Sequence, residues 1–252
     1  MARNFATTDN LSFGDLTLFD GLGAISCAMW INPDTVTTDA RFVGKGGTVD
    51  TNQAMFFSMD TAANGQARIA ISAGAGLRWV ADTGDGVIVA GSWMHLAYVW
   101  SGGNAGAIYK NGVSQTLTDL VAQTPLSIQN TAKLFRIGAD EDTAGIDGNI
   151  AEVSLWNRAL SLTEVEIAYR AGPWAVPKGL LMYVPIFGIV SPESDFSGNN
   201  NHGTVTGTTR IDHPPGISAV WLAPHPRLVQ ATAAEGNPAY QPWYHRAPVL
   251  AQ

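Results

Sequence analysis

Short runs of apolar, β-branched and aromatic residues recur along the first 211 positions, separated by turns rich in Gly, Asn and Asp. Strands spaced about 8 to 12 residues apart are typical of a β-sandwich or β-barrel. Asn111-Gly112 separates two such runs and predicts a tight hairpin, because both positions of that turn favour positive φ. The predicted strands are Ile25–Ile31, Ala54–Met59, Arg68–Ala73, Leu77–Ala81, Val87–Ala90, Trp93–Trp100, Ala107–Lys110, Val113–Leu117, Leu134–Ile137 and Ile150–Trp156.

A single helix is predicted after Ser161. Ser161 and Glu164 have the spacing of a capping box, in which each side chain binds the other residue's backbone N–H. Apolar residues from Leu162 onward give the helix one apolar side, and Gly172-Pro173 ends it. A doubly wound α/β fold needs a helix between successive strands, so the pattern instead predicts an all-β, two-sheet antiparallel sandwich with one short helix.

The composition changes at Asp212. Residues 212–252 hold seven of the 13 prolines and only four Asp, Glu, Lys or Arg residues. Proline cannot pair inside a β-ladder and favours extended backbone. We therefore predict a sandwich domain at 1–211 and an extended C-terminal arm at 212–252, which packs either on its own domain or on a neighbouring subunit or particle. The aromatic residues expected to make the arm's assembly contacts are Trp221, Tyr240, Trp243 and Tyr244.

Charge and cysteine content exclude several classes of protein. The net charge is −7 and the sequence has no basic run, which argues against an electrostatic nucleic-acid binder. No apolar stretch approaches the roughly 20 residues of a membrane span, so we expect no membrane partner. The single Cys27 excludes a disulfide scaffold and, in mid-strand, predicts a buried inert thiol. Residues 1–5 lack the apolar segment of a secretory signal, so we expect assembly in a cytoplasm.

Four sequence segments stand in an informative order and span about residues 11–170. They are 25–33 (ISCAMWINP), 42–46 (FVGKG), 93–98 with 109–112 (WMHLAY and YKNG), and 135–138 with 147–161 (FRIG and DGNIAEVSLWNRALS). Together they resemble the laminin-G-like, concanavalin A-like jelly-roll family. The resemblance implies a jelly roll built from two antiparallel sheets.

A fifth segment has an unexpected position. Residues 179–185 followed by 195–204 resemble the segment that usually opens the family's domain, but here they follow the helix. The chain therefore resembles a circularly permuted member, and permutation is tolerated where the original ends are close together. The permuted order and the Pro-rich ending resemble laminin-G-like proteins of tailed bacteriophages, which implies a virion protein.

The sequence does not favour catalysis. Sandwich glycosidases need two close carboxylates, and the strand 148–154 carries one, Glu152, with Ala151 where the family's binding modules often have Asp. No nucleophile elbow, zinc motif or phosphate loop is present. We therefore expect a non-enzymatic protein.

Two ligand sites can be proposed from residue type. Calcium takes six to eight oxygen ligands, and Asp140, Asp142 and Asp147 form an acidic cluster that either holds calcium or is a solvated loop. Alternation along 150–156 places Ala151, Val153 and Leu155 on one face, and Glu152, Ser154 and Trp156 on the other, less buried face. The candidate glycan-binding residues are Trp156, as an aromatic platform, with Asn199 and His202 from an Asn-rich loop. The alternative role of Trp156 is packing in the core or against the helix, and that of the loop is structural.

Two functions remain open at this stage, and both can hold together. The first is a structural virion protein, either capsid decoration or tail-associated, assembled in the host cytoplasm. Its partners would be the major capsid protein, tail proteins or further copies of itself. The second is a carbohydrate-binding module that attaches to cell-surface glycan, with or without calcium as its cofactor.

Overall fold

A computed structural model describes residues 2–47, 53–60, 64–141, 143–187, 191–212 and 214. The chain forms sixteen strands in these ranges, together with helix α1 (Leu162–Ala171) and two single 3-10 turns, Thr17–Phe19 and Pro173–Ala175. The strands are β1 (Ala2–Phe5), β2 (Asn10–Ser12), β3 (Ile25–Pro33), β4 (Arg41–Lys45), β5 (Met55–Met59), β6 (Ala67–Gly74), β7 (Leu77–Thr83), β8 (Met94–Trp100), β9 (Gly106–Lys110), β10 (Val113–Gln115), β11 (Leu117–Ala122), β12 (Phe135–Ile137), β13 (Gly148–Trp156), β14 (Leu180–Val184), β15 (Thr204–Thr206) and β16 (Thr209–Ile211).

The strands form two antiparallel sheets of eight strands each. Sheet A has the order β10-β9-β8-β3-β13-β1-β16, and β14 also pairs with β13. Sheet B has the order β11-β7-β6-β5-β4-β12-β2-β15. The chain therefore passes repeatedly from one sheet to the other, as in a jelly roll. The predicted all-β sandwich with one short helix is confirmed.

The inner faces of the two sheets share one hydrophobic core. On β3 the alternate residues Ile25, Cys27, Met29 and Ile31 are fully buried in this core, while Ala28 faces the opposite side. Such alternation is the usual arrangement of a strand with one face in a core, although this strand was predicted from its continuous run of apolar residues. Burial raises the pKa of the Cys27 thiol well above its ordinary value, so the thiol packs as a small apolar group.

Helix α1 begins at the predicted capping box. The Ser161 hydroxyl accepts from the Glu164 backbone N–H at 3.4 Å, and the Glu164 carboxylate accepts from the Ser161 N–H at 2.9 Å. The guanidinium of Arg158 binds the same carboxylate at 2.6 Å and, with the capping bonds, lowers the pKa of Glu164 to about 2. Val165 and Ala168 of the helix pack on the outer face of sheet A.

One predicted strand is wrong. Val87–Ala90 contains no strand, because its backbone bonds to a neighbouring loop instead of to a sheet. The Ile88 N–H donates to the Gly65 carbonyl at 2.7 Å, and Gly86 donates to Asn64 at 2.9 Å. Several strands that the pattern did not predict have three or four residues, too few to show an alternation: β1, β2, β15 and β16.

The strands after α1 complete both sheets. Strand β14 pairs with β13, β15 pairs with β2, and β16 pairs with β1. Ala2 lies opposite Ile211, so the first and last described strands are neighbours. The segments that follow the helix in sequence therefore lie beside the N-terminal strands in space.

Two expectations concern the remainder of the chain. The aromatic residues of the predicted arm, Trp221, Tyr240, Trp243 and Tyr244, lie outside the described residues. The arm and its boundary therefore stay predictions. Within the described ranges, the chain has no helix with the length and apolar character needed to cross a membrane.

Candidate functional site

A shallow groove opens at one end of sheet B. There the turn between β1 and β2 meets the loop that joins β12 to β13. The groove has a volume of about 320 Å³. Most of the described residues that line it have polar side chains; they are Thr7, Thr8, Asn10, Arg136, Ala139, Asp140, Glu141, Thr143 and Ala144.

Glycines let the loop after β12 fold back against its neighbours. Gly138 has φ +92°, a conformation that side chains rarely adopt, and a Cβ on Gly145 would lie 1.4 Å from the Gly138 carbonyl oxygen. The Gly145 N–H donates to the Thr7 carbonyl at 2.8 Å, and the Arg41 N–H donates to the Ala144 carbonyl at 3.2 Å. The loop is thereby fastened both to the β1–β2 turn and to β4.

Asp140 anchors one wall of the groove. Its carboxylate accepts from Arg41 Nε at 2.9 Å and from the Thr143 N–H at 2.6 Å. Both Asp140 and Arg41 are buried, and the Arg41 guanidinium also binds Asp39 and lies 3.6 Å above the centre of the Phe56 ring. The charge of a buried carboxylate that binds a guanidinium is already compensated, so Asp140 stabilises the conformation of the groove wall.

The predicted calcium cluster is only partly described. Asp147 is half-buried, and its backbone carbonyl accepts from the Asp34 N–H at 2.8 Å. Asp142 lies outside the described residues. Across the described ranges, no group of three or more His, Cys, Asp or Glu side chains is placed to hold a metal ion. Calcium therefore stays a prediction, and it would have to compete with Arg41 for the carboxylate of Asp140.

The second groove carboxylate is also paired. Glu141 binds Lys133 Nζ at 2.8 Å and accepts from the Leu134 N–H at 3.2 Å. The half-buried Arg136, by contrast, donates only from Nη1, to the Asp140 backbone carbonyl at 3.1 Å. Its Nε is buried and has no partner in the described structure, and the same holds for Thr143 Oγ1. Buried polar atoms normally have partners, so these two mark a place where a ligand could bind.

Trp156 is packed against the helix, which was its alternative role, and is not an exposed aromatic platform. The residue lies on the outer face of sheet A, as alternation predicts, but it is fully buried with helix residues such as Val165. Its indole N–H donates to the Val176 carbonyl at 2.8 Å. Trp79 and Trp100 are also buried. None of these three rings can therefore offer a face to a sugar in this fold.

The assignment of faces along β13 also needs a correction. The backbone of Glu152 has φ +57°, and the pairing register of β13 with β3 shifts between Ala151 and Ser154. This irregularity is a β-bulge, which breaks the simple alternation. Ala151 pairs with Trp30 and so faces outward, whereas Val153 lies in the core.

The Asn-rich loop after β14 is held by its own hydrogen bonds. The carboxylate of Asp195 accepts from the N–H groups of Tyr183 at 2.9 Å and Asn201 at 3.0 Å. Asn199 Nδ2 donates to the Leu181 carbonyl at 2.9 Å, and His202 Nδ1 accepts from the Asp195 N–H at 3.1 Å. Asn199 and His202 are exposed, but these bonds describe a structural loop, and neither residue lines the groove.

Glu152 is not presented to solvent. It is buried, and its carboxylate accepts a hydrogen bond from the Tyr183 hydroxyl. Burial raises the pKa of Tyr183 well above its ordinary value, and the negative charge of the Glu152 carboxylate raises it further. The side chain therefore takes part in internal packing between β13 and β14.

The polar lining of the groove was missed in the sequence. One signal was available: in Phe135-Arg136-Ile137 an arginine lies between two core residues, which places it on the outer face of the strand. The other signals are weak, because Thr7, Thr8 and Asn10 look like ordinary turn residues. Their proximity to Arg136 depends on strand pairing between distant parts of the chain.

Taken together, two antiparallel jelly-roll sheets with a polar groove at one end define a lectin-like module. The chain belongs to the concanavalin A-like lectin/glucanases superfamily, whose family profile matches residues 5–166. This confirms the family that the four sequence segments predicted. No curated protein matches the sequence.

Several solved structures are similar to this chain to different degrees. A proposed carbohydrate-binding protein from Bacteroides ovatus ATCC 8483 is 19% identical with a TM-score of 0.61; the match covers 86% of this chain and 61% of that one. The CBM40 domain of a Ruminococcus gnavus IT-sialidase, solved with α2,3-sialyllactose, is 12% identical with a TM-score of 0.49 and coverages of 66% and 96%. The heptameric SAP-like pentraxin of Limulus polyphemus is 19% identical with a TM-score of 0.48 and coverages of 67% and 81%. At these identities the likeness concerns the fold alone.

Proposed function

We propose that the protein is a non-enzymatic carbohydrate-binding module and that the groove beside β12 holds the sugar. The observation that carries this proposal is the pair of buried polar atoms without partners, Arg136 Nε and Thr143 Oγ1, at a groove lined by further polar side chains. A sugar offers many hydroxyl groups that both donate and accept, so it suits such a wall. The jelly-roll family supports the same class of ligand.

Ion pairs fix the loop that forms one wall of the groove. Asp140 binds Arg41 and the next residue, Glu141, binds Lys133, so ion pairs hold two successive residues of the loop. A preformed site binds with a smaller loss of conformational entropy. Binding by this groove would rest on hydrogen bonds, because none of the described residues that line it is aromatic.

Removing single hydrogen-bonding groups from the groove should weaken glycan binding without unfolding the protein. We expect Thr143→Val and Asn10→Ala each to lower affinity about threefold to tenfold, the usual net value of one hydrogen bond. The full chain would be screened against a panel of immobilised glycans, and the best ligands measured by calorimetry.

The matched control is Thr118→Val, an exposed threonine on β11 at the opposite edge of sheet B. It should bind as the unmodified protein does. Equal affinity in all four proteins would place the sugar elsewhere on the fold. Absence of binding across the whole panel would contradict the proposal that the protein binds carbohydrate.

A second proposal places the protein in the particle of a tailed bacteriophage, as a capsid decoration or tail-associated protein assembled in the host cytoplasm. The order of the sequence segments supports a permuted jelly roll of that type, and the neighbouring positions of β1 and β16 are compatible with permutation. The Pro-rich, aromatic residues 212–252 would contact virion proteins or further copies of the chain. Glycan binding at the groove is compatible with this role.

Mass spectrometry of purified particles from the source tests the virion proposal. Many copies for each capsid would identify a decoration protein, and a few copies would identify a tail component. A chain that ends at residue 214 should fold but fail to join particles. Normal incorporation of that shortened chain would remove the assembly role of the arm, and absence of the protein from particles would remove the proposal.

A further inference from the structure

We propose that the groove selects acidic sugars and that Arg136 binds the sugar carboxylate. This inference rests on the proposed glycan-binding function and names its ligand class. The main observation is how few bonds the Arg136 guanidinium forms. Among the described residues, Arg136 donates a single side-chain hydrogen bond, from Nη1 to the Asp140 carbonyl, and forms no ion pair.

Four other arginines that are buried or half-buried differ from Arg136, because each of them forms an ion pair. Each of four binds a carboxylate at 2.6 to 2.9 Å through at least one nitrogen. The pairs are Arg3 with Glu193, Arg41 with Asp140, Arg68 with Asp82, and Arg158 with Glu164. Arg136 is half-buried but lacks this compensation, although it lines the groove. A carboxylate from a ligand would supply the missing partner.

The geometry of the guanidinium favours a carboxylate in particular. Nη1 is directed to the loop by its bond to the Asp140 carbonyl, so the donor groups without a bond in the described structure are Nη2 and the buried Nε, which share one edge of the guanidinium. Two parallel N–H groups on one edge match the two oxygens of a carboxylate in a bidentate pair. Gly44 and Ser12 are the residues paired with Arg136 across sheet B, so only small side chains flank it there.

The rest of the groove suits the remainder of a sugar. Thr143 Oγ1 lacks a partner in the described structure, and Thr7, Thr8 and Asn10 add hydroxyl and amide groups. Among the described residues, the carboxylates that line the groove are those of Asp140 and Glu141, and they are bound to Arg41 and Lys133, so their charges are compensated locally. A ligand carboxylate at Arg136 would therefore meet limited repulsion from these two groups.

The test compares matched acidic and neutral ligands by calorimetry on the full chain. One pair is sialyllactose and lactose, and the other is a glucuronic-acid oligosaccharide and its carboxyl-reduced form. We expect the acidic member of one pair to bind about tenfold to a hundredfold more tightly, and the pair that shows this identifies the source of the carboxylate. Sulfated lactose is included to separate carboxylate recognition from attraction of any anion.

Arg136→Gln should reduce the affinity for the acidic sugar to that for its neutral counterpart, while the affinity for the neutral sugar changes little. Arg136→Lys should keep part of the preference, because it retains the charge but not the two-donor edge. Arg170→Gln, an exposed arginine on α1, is the control and should change nothing. Thermal unfolding would verify that each variant is folded.

The outcomes separate the two proposals. Equal affinity for acidic and neutral sugars, or a preference that survives in Arg136→Gln, would overturn the assignment of Arg136 and leave glycan binding in place. Tighter binding of sulfated lactose than of both acidic sugars would overturn the carboxylate class. Failure of every sugar, neutral ones included, would overturn the proposed function together with this inference.

Discussion

Gly145→Ala should destabilise the protein by at least about 3 kcal/mol and abolish ligand binding by the groove. A Cβ at this position would lie 1.4 Å from the Gly138 carbonyl oxygen and 2.5 Å from its carbon. Both are backbone atoms, so no side-chain rotation can relieve the clash. The backbone of the loop would have to move away from β4 and from the β1–β2 turn, to which it is hydrogen-bonded.

Chemical denaturation measures this loss directly, as a lower midpoint of unfolding. Gly84→Ala is the matched control, since Gly84 is exposed and a Cβ there would have nothing within 4 Å. The control should remain within about 0.5 kcal/mol of the unmodified protein. If Gly145→Ala unfolded at an unchanged midpoint, the close approach of residues 138 and 145 would be incorrect.

His95 should make the folded state sensitive to acid. Its ring is fully buried on the outer face of sheet A, with ring centres 5.5 Å from Trp30 and 5.3 Å from Tyr169. Nδ1 has no hydrogen-bond partner in the described structure, and burial lowers the pKa of His95 to about 3. The folded protein therefore keeps this imidazole neutral far below the ordinary value of about 6.5.

The direction of the pH effect follows from proton binding. Between about pH 6.5 and pH 3 the unfolded chain carries a proton on His95 and the folded chain does not, so acidification favours unfolding. Stability is unaffected by this group above pH 6.5, falls by about 1.4 kcal/mol per pH unit below it, and levels off near pH 3. The full loss over this range is roughly 5 kcal/mol.

Comparison with His95→Phe isolates this contribution from that of the carboxyl groups. Denaturation of both proteins at a series of pH values gives the difference in their free energies of unfolding. We expect the variant to gain on the unmodified protein as the pH falls from 6.5 to 3, with a constant difference above 6.5. A difference independent of pH across this range would show that the imidazole becomes protonated in the folded state.

Local patterns in the sequence predicted local structure well. The apolar run at Ile25–Ile31 correctly predicted strand β3, and the Ser161–Glu164 spacing predicted the start of α1. These features depend on neighbours within a few residues. The bulge at Glu152 could not be read in the same way, because it is defined by the pairing of β13 with β3.

The groove shows a second limit of sequence reasoning. Acidic residues and tryptophans were chosen as site candidates by their chemistry, but Asp140 is held by Arg41 and Trp156 lies beneath α1. Whether a side chain is free or already bonded depends on residues far away in the chain. Arg136 attracted no notice for the opposite reason, since its lack of a carboxylate partner becomes visible only in the folded structure.

The pairing of β1 bears on how the chain reaches this structure. Arg3 lies opposite Ile150 of β13 on one side and Arg210 of β16 on the other. Strand β1 therefore pairs only with strands that are synthesised much later. Contacts between such distant residues form slowly, because a long loop loses entropy before the pairing stabilises it. During synthesis on a ribosome, sheet A cannot close until residue 211 has emerged. The described residues that line the groove lie between Thr7 and Ala144, so the walls of the groove are synthesised before β16, the last strand of sheet A.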